Sequence, residues 1–277
     1  MSNRFRDSVS FLDPKFGTGA HNSQYAGMPV GVELWDKWYG VDYNQYISLG
    51  GTAMLPGATT DPGLSWTDTP VSIGVGTSAY TFSDDITPPR LIATSAANDN
   101  DGIQAQWTDP GGTGEIFSLI AGKKIYFSCE FLISDAADLI TTVEQVDVFY
   151  GLAVTITTAI AGCADYIGFY KADGSGVVNF VAGKNSTTFG DQLVVPTGVT
   201  LVAADAGTAA ANLNSFAFVM DGTDKAVIYA NGEQVATTSS LTQFPDDVQM
   251  CPTMAMLNGE AVVKIVHTTK FCALAER

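Results

Sequence analysis

The sequence is short of the groups that carry out chemistry. Only 15% of its residues are charged, and 277 residues include two histidines and four cysteines. His21 and His267 lie far apart with no motif around either, so a zinc site or a Ser-His-Asp triad would have to be recruited from unrelated places. Cys129, Cys163, Cys251 and Cys272 form no C-x-x-C pair and have no histidine at ligand spacing; they read as buried thiols, and nothing in their spacing supports a disulfide. No G-x-S-x-G, P-loop or helix-opening G-x-G-x-x-G is present, which removes the common hydrolase and nucleotide-binding signatures. No window approaches the roughly 18 uncharged apolar residues of a membrane-spanning helix. The opening MSNRFRDSVSFLDPKFG puts arginines and an aspartate where a signal peptide needs an apolar run. These absences predict a soluble, non-enzymatic chain without cofactor or metal, made in the cytosol and not exported.

What the sequence has is apolar alternation. The 46% apolar content suffices for one large all-β domain or two small ones. IYFSCEFLI (125–133) puts Ile125, Phe127, Cys129, Phe131 and Ile133 on one face, and further strands are read at 148–156, 165–171, 177–183, 193–203, 214–221, 225–231 and 261–271. Asp221-Gly222 and Asn231-Gly232 accept positive φ cheaply and close hairpins on either side of KAVIYA, making a meander. One segment, 135–146, has the composition of a short helix inserted in a loop. Many short strands without a βαβ alternation predict two antiparallel sheets packed face to face. No repeat of fixed period is present.

Residues 1–38 differ in kind. Phe5, Phe11, Phe16, Tyr25, Trp35 and Trp38 are spaced among Gly, Asn, Ser and Pro with neither helical nor strand periodicity. The segment is too aromatic for a solvated tail. Three readings stand: a strap along its own domain, an arm docking on a neighbouring subunit, or plain disorder. The domain division is therefore 1–38, an N-terminal arm, and 39–277, the sandwich. The net charge of −16 falls entirely after residue 40, since residues 1–40 carry four basic and four acidic side chains. So acidic a body repels nucleic acid and anionic membrane.

In the order SAANDNDGIQAQW (95–107), EIFSLIAGKKIYFSCEFLISDA (115–136), VFYGLAVT (148–155), DYIGFYKADGSG (165–176), FAFVMDGTDKAVIYANGEQVAT (216–237) and AMLNGEAVVKIV (255–266), the chain resembles the concanavalin A-like jelly-roll structural proteins of tailed phages. The resemblance implies an all-β, two-sheet antiparallel β-sandwich with an extended N-terminal arm. It implies a virion protein on the capsid surface, a decoration or cement protein made in the host cytoplasm. Its partners would be the major capsid protein and copies of itself, as a homotrimer. The six arm aromatics are the candidate partner contacts. A glycan-binding head- or tail-fibre module of the same fold is the alternative, with weak glycan binding.

Candidate chemistry is sparse. Retaining glycosidases hold two carboxyls about 5–5.5 Å apart; Glu144 and Asp147, three positions apart, fall on opposite faces of a regular strand. Asn98–Gly102 resembles a calcium loop, but Ala97 and Thr108 stand where an EF-hand needs ligands, leaving an Asx-rich turn entering the strand at Ile103 or a looser calcium site. His267 reads as a half-buried strand residue. Asn185-Ser186-Thr187 is a glycosylation sequon in form only. Trp35, Trp38, Trp66 and Trp107 read as core or contact residues before sugar platforms.

Overall fold

A computed structural model describes residues 38–42, 67–68, 71–83, 90–108, 115–135, 145–201 and 213–276. In chain order the elements are β1 (Trp38–Asp42), β2 (Thr67–Asp68), β3 (Val71–Ile73), β4 (Ala79–Ser83), β5 (Arg90–Thr94), β6 (Gly102–Thr108), β7 (Lys124–Asp135) and β8 (Val146–Ala153). The short helix α1 (Ala159–Gly162) follows, then β9 (Tyr166–Lys171), β10 (Val177–Gly183), β11 (Leu193–Thr200), β12 (Asn214–Asp221), β13 (Lys225–Ala230), β14 (Glu233–Ser239), β15 (Cys251–Asn258) and β16 (Lys264–Glu276). The strands form two antiparallel sheets. Sheet 1 runs β14-β13-β12-β7-β16-β5-β4 with β1 also on β16, and sheet 2 runs β11-β10-β9-β8-β15-β6-β2 with β3 also on β6. The predicted all-β sandwich is what the chain forms. Of the segment expected to be helical, 135–146, Asp135 ends β7 and Val146 opens β8, so its two ends are strand, and residues 136–144 fall outside the described residues.

The turn chemistry sets the meander. Gly222 (φ 78°) turns β12 into β13, and Asn231 (φ 50°) with Gly232 (φ 86°) turns β13 into β14. This register puts Ala226 and Ile228 into the core and Val227 and Tyr229 on the far face. Between the sheets lies an aromatic core. Trp107 packs on Phe271 at 4.6 Å, Phe131 stacks on Tyr150 at 4.7 Å, and Phe127 meets Phe218 at 5.3 Å and Phe271 at 5.4 Å. Trp107 is thus a core residue, 2% exposed.

β16 outruns the expected strand because of a bulge. Thr268 pairs with Phe131 and Lys270 with Glu130, so Thr269 is the extra residue and the inward parity switches there from even to odd numbers. Past the bulge, Cys272–Glu276 pairs on its other edge with β1, Trp38 opposite Glu276 and Asp42 opposite Cys272. Trp38, the last residue assigned to the arm, is thus the first residue of a strand of the sandwich. β15 was not expected as a strand; it is central in sheet 2 and buried along nearly its whole length, so it lacks an alternating pattern. Pro252 sits near its start, one residue before the pairing with β6 begins.

Phe271 touches both sheets' aromatic layers. Phe271→Ala is expected to lower unfolding free energy by about 3–5 kcal/mol, read as a lower urea midpoint at unchanged slope.

Candidate functional site

The outer face of sheet 2 is covered over β6 and β15 by its own chain. Residues 154–160 leave β8 and cross β6 and β15. Gln106 Nε2 donates to Val154 O (3.0 Å) and its Oε1 accepts from Ile156 N (2.9 Å). Gln104 Nε2 donates to Ile156 O (2.5 Å) and its Oε1 accepts from Ala159 N (2.6 Å). Two buried side-chain amides thereby stand in for a neighbouring strand and satisfy the strap's backbone. Beneath it, Phe149, Ala153, Ala159, Ile160, Cys163, Tyr166, Val181 and Ala255 form a second apolar cluster. Phe149 can lie flat there because Gly151 and Gly168 face each other across β8 and β9; a Cβ on Gly168 would come within 2.3 Å of Tyr150 O and 2.9 Å of the Phe149 ring.

At the edge of this cover a small patch stays open. Tyr170 and Phe189 are half-buried, ring centroids 5.2 Å apart and edge to face, with the half-buried Asn179 directly opposite Tyr170 on β10. Tyr170 Oη donates to Asp147 Oδ1 (2.5 Å), which also accepts from Asp173 N (2.8 Å). Burial and the Asp147 carboxylate push the Tyr170 phenol well above its ordinary range. Asp147 is therefore occupied in orienting Tyr170 and the β9–β10 turn, and Glu144 lies outside the described residues.

The Asn98–Gly102 segment is a turn, and it enters β6 at Gly102, one residue earlier than expected. Asp101 is 1% exposed and accepts from Val75 N (2.9 Å), Gly76 N (3.0 Å) and Asn98 Nδ2 (2.6 Å). These donors, the Asn98 amide foremost, hold its carboxyl below the usual range. Its oxygens thus clamp the β3–β4 loop. Among the described residues no group of three or more His, Cys, Asp or Glu side chains is placed to hold a metal ion.

The outer face of sheet 1 is mixed. Toward the β15–β16 turn, Ser134 Oγ and His267 Nε2 are 2.9 Å apart, and Lys270 reaches Glu130 at 3.2 Å, where Thr269 Oγ1 donates to Glu130 Oε1 (2.6 Å). His267 is fully buried, 3% exposed, which corrects the half-buried expectation: the face it points from is closed over. Desolvation, and secondarily the Arg90 guanidinium, lower its pKa to about 4. Ser134 is 133 residues away in sequence, and no motif signals the pair. Three features oppose a hydrolytic role for the pair: Ser134 is fully buried, Nδ1 of His267 has no hydrogen-bond partner among the described residues, and a nearby cation opposes the imidazolium that acyl transfer requires. Toward the other end, Tyr126, Ala217, Val219, Cys272 and Leu274 form an apolar stripe flanked by Tyr229.

Of the predicted contact residues, Phe5, Phe11, Phe16, Tyr25 and Trp35 lie outside the described residues, and Trp38 is placed by the β1 backbone. His21 and Trp66 also lie outside them. All four cysteines are buried. No helix of the described residues is long and apolar enough to cross a membrane.

No protein-family model matches the chain, and no curated protein matches it. Solved structures do. A protein of unknown function from Shewanella oneidensis aligns at 12% identity over 87% of each chain, TM-score 0.49. The potassium-bound carbohydrate recognition domain of Emp46p aligns at 8% identity over 74% of this chain and 87% of its own, TM-score 0.46. A carbohydrate esterase from the Shiga toxin-encoding bacteriophage phi24B aligns at 13% identity over 76% and 90%, TM-score 0.42. At such identities and TM-scores these are likenesses of fold alone; the two-sheet antiparallel β-sandwich rests on the chain's own strand pairing.

His267 gives a pH dependence. Its folded pKa lies below the ordinary 6.5, so the unfolded chain binds the extra proton; the contribution is present above about pH 6.5 and is lost as pH falls toward 4. Wild-type stability is expected to fall by up to about 3 kcal/mol more than that of His267→Gln over this window, measured by urea unfolding at several pH values.

Proposed function

We propose that this chain is a structural protein of a tailed-phage virion, a capsid decoration protein that binds the head surface through its N-terminal segment. The observation that carries the reading is the pairing of β1 with the last strand. Residues 1–37 join the body through five consecutive backbone pairs at a fixed rim of sheet 1, so a contact made by them is transmitted into the rigid core. The covered outer faces add support: where a glycan-processing sandwich would keep a cleft, Gln104 and Gln106 hold the strap down. The partners on this reading are the major capsid protein and two further copies of the chain, as a homotrimer, on the outside of a shell whose packaged DNA an acidic body would avoid. A protein that binds only the assembled lattice stabilises it by the free energy of that binding. An extended arm adds contact area toward the roughly 1,600 Å² of a standard interface without enlarging the body.

The test is deletion of residues 1–37, keeping β1, with folding checked by circular dichroism. Attachment to heads of the encoding phage, measured by co-sedimentation, is expected to drop at least about tenfold, a loss of roughly 1.4 kcal/mol or more. Full occupancy by the truncated protein would overturn the reading.

A second reading, a glycan-binding module of the virion, is favoured by the open patch at Tyr170, Phe189 and Asn179, an aromatic pair beside an amide. It expects weak, saturable binding on a glycan array that Tyr170→Ala removes. An array with no signal at millimolar glycan density would remove this reading instead.

A further inference from the structure

The apolar stripe on the outer face of sheet 1 points away from the core, yet it is closed. Tyr126 and Cys272 are 0% exposed and Leu274 is 6% exposed. Within the described residues, the side chains clustered there all come from β7, β12, β13 and β16 themselves. A side chain standing out of a sheet loses its solvent contact to large neighbours on the same face or to chain laid across it, and a tyrosine 0% exposed among Ala, Val and Cys calls for the second.

We propose that this stripe is the docking face for the chain's own residues 1–37. The inference rests on the reading of that segment as a contact arm and names the surface that receives it in the free protein. Placement is the first argument. β1 lies beside β16 with Asp42 opposite Cys272 and Trp38 opposite Glu276, so the segment joins the body two residues along from Leu274, at the end of the stripe. Reach is the second. The stripe crosses β16, β7, β12 and β13, adjacent strands in sheet 1, a span of roughly 15 Å at about 4.8 Å per strand. An extended segment of this length reaches roughly 120 Å. Chemistry is the third. Phe5, Phe11, Phe16, Tyr25 and Trp35 are single aromatics separated by polar and small residues, which suits anchoring an extended chain at successive apolar positions. The near-neutral charge of residues 1–40 also spares the contact the repulsion that an acidic segment would meet on a body of −16. The tether decides the source. A segment attached at the rim is present at an effective concentration in the millimolar range, so in dilute solution it displaces the same segment from any other copy.

Cys272 reports on the cover. Cys129 faces the core between the sheets and Cys163 lies in the cluster under the sheet 2 strap, so neither depends on the stripe. Cys251 is 0% exposed at the start of β15. The full-length Phe5→Ser, Phe11→Ser, Phe16→Ser triple variant and the wild type are treated with a maleimide under native conditions, and each cysteine is quantified by peptide mass spectrometry. The expected result is at least a tenfold faster reaction at Cys272 with the other three unchanged. An unchanged Cys272 rate overturns the proposal. If all four thiols react together, the variant has unfolded, and a second measurement on the wild type decides. Heavy- and light-isotope copies are mixed at low micromolar concentration and treated with a lysine cross-linker. Links from Lys15 to Lys270 within copies of one isotope support the docking; links mainly between isotopes, or none, overturn it. Because these measurements are made on the isolated protein, an arm that docks here while its removal leaves head attachment intact sinks the functional reading and spares this one. Lost attachment with an unchanged Cys272 does the reverse.

Discussion

Each sheet of this sandwich buries apolar side chains on its outer side as well as on its core side. An antiparallel sheet ordinarily packs one face on the core and wets the other. Here Tyr126, Leu132, Ala217 and Val219 turn outward from sheet 1, and Phe149, Tyr166, Val181 and Ala255 outward from sheet 2, all of them buried. Fully burying each such side chain contributes about 1.5–3 kcal/mol relative to leaving it wet, so covering the faces is part of folding and not an addition to it. The strap over sheet 2 follows from this requirement. So do Gln104 and Gln106, because a strap laid on a sheet face has no strand neighbour to take its backbone groups.

The same requirement explains how much of the fold was readable. β10 and β12 fall at their expected bounds, because each is flanked by turn residues and keeps its core face clear. The hairpins at Gly222 and Asn231-Gly232 were readable because positive φ is written in residue type. β15 was not, since a central strand buried on both faces has no polar side to mark its period. The expected strand 148–156 ran three residues past the end of β8: Val154 and Ile156 continue the apolar alternation, but Val154 O and both backbone groups of Ile156 are taken by glutamine side chains on β6, while Val154 N donates to Asp165 O. β16 was blurred differently, as the bulge at Thr269 switches its inward parity.

Side-chain sites were less legible than strands, for a reason of distance. The Asn98–Gly102 segment was readable as an Asx-rich turn, but the groups that saturate Asp101 include the amides of Val75 and Gly76, about 25 residues earlier and on another loop. Ser134 and His267 meet only because β7 and β16 pair in one register, and Tyr170 finds Asp147 through the pairing of β8 with β9. Such contacts are products of topology. The arm aromatics are the opposite case: their spacing is visible in the sequence, and the structure adds the one thing the sequence lacked, the rim at which β1 ties that segment to the body.

Electrostatics then limits how such a body can associate. Several of its cations are withdrawn from the surface: Lys171 is 0% exposed and donates to Val146 O at 2.6 Å, Arg90 is 1% exposed, and Lys264 is 2% exposed and pairs with Glu260. Asp101 and Asp165 are buried as well, so burial among the described residues leaves the acidic balance of the chain in place. Two such surfaces repel at low ionic strength, and salt relieves the repulsion within a Debye length of about 8–10 Å. On the proposed reading, association between copies draws on apolar area carried by a segment that adds no net charge of its own. Residues 1–40, balanced in charge and rich in aromatics, are the part of the chain with that composition. On the proposed reading the low charge of the arm and the high charge of the body act together: the body's charge opposes close approach of two copies, and the arm supplies contact area free of that repulsion.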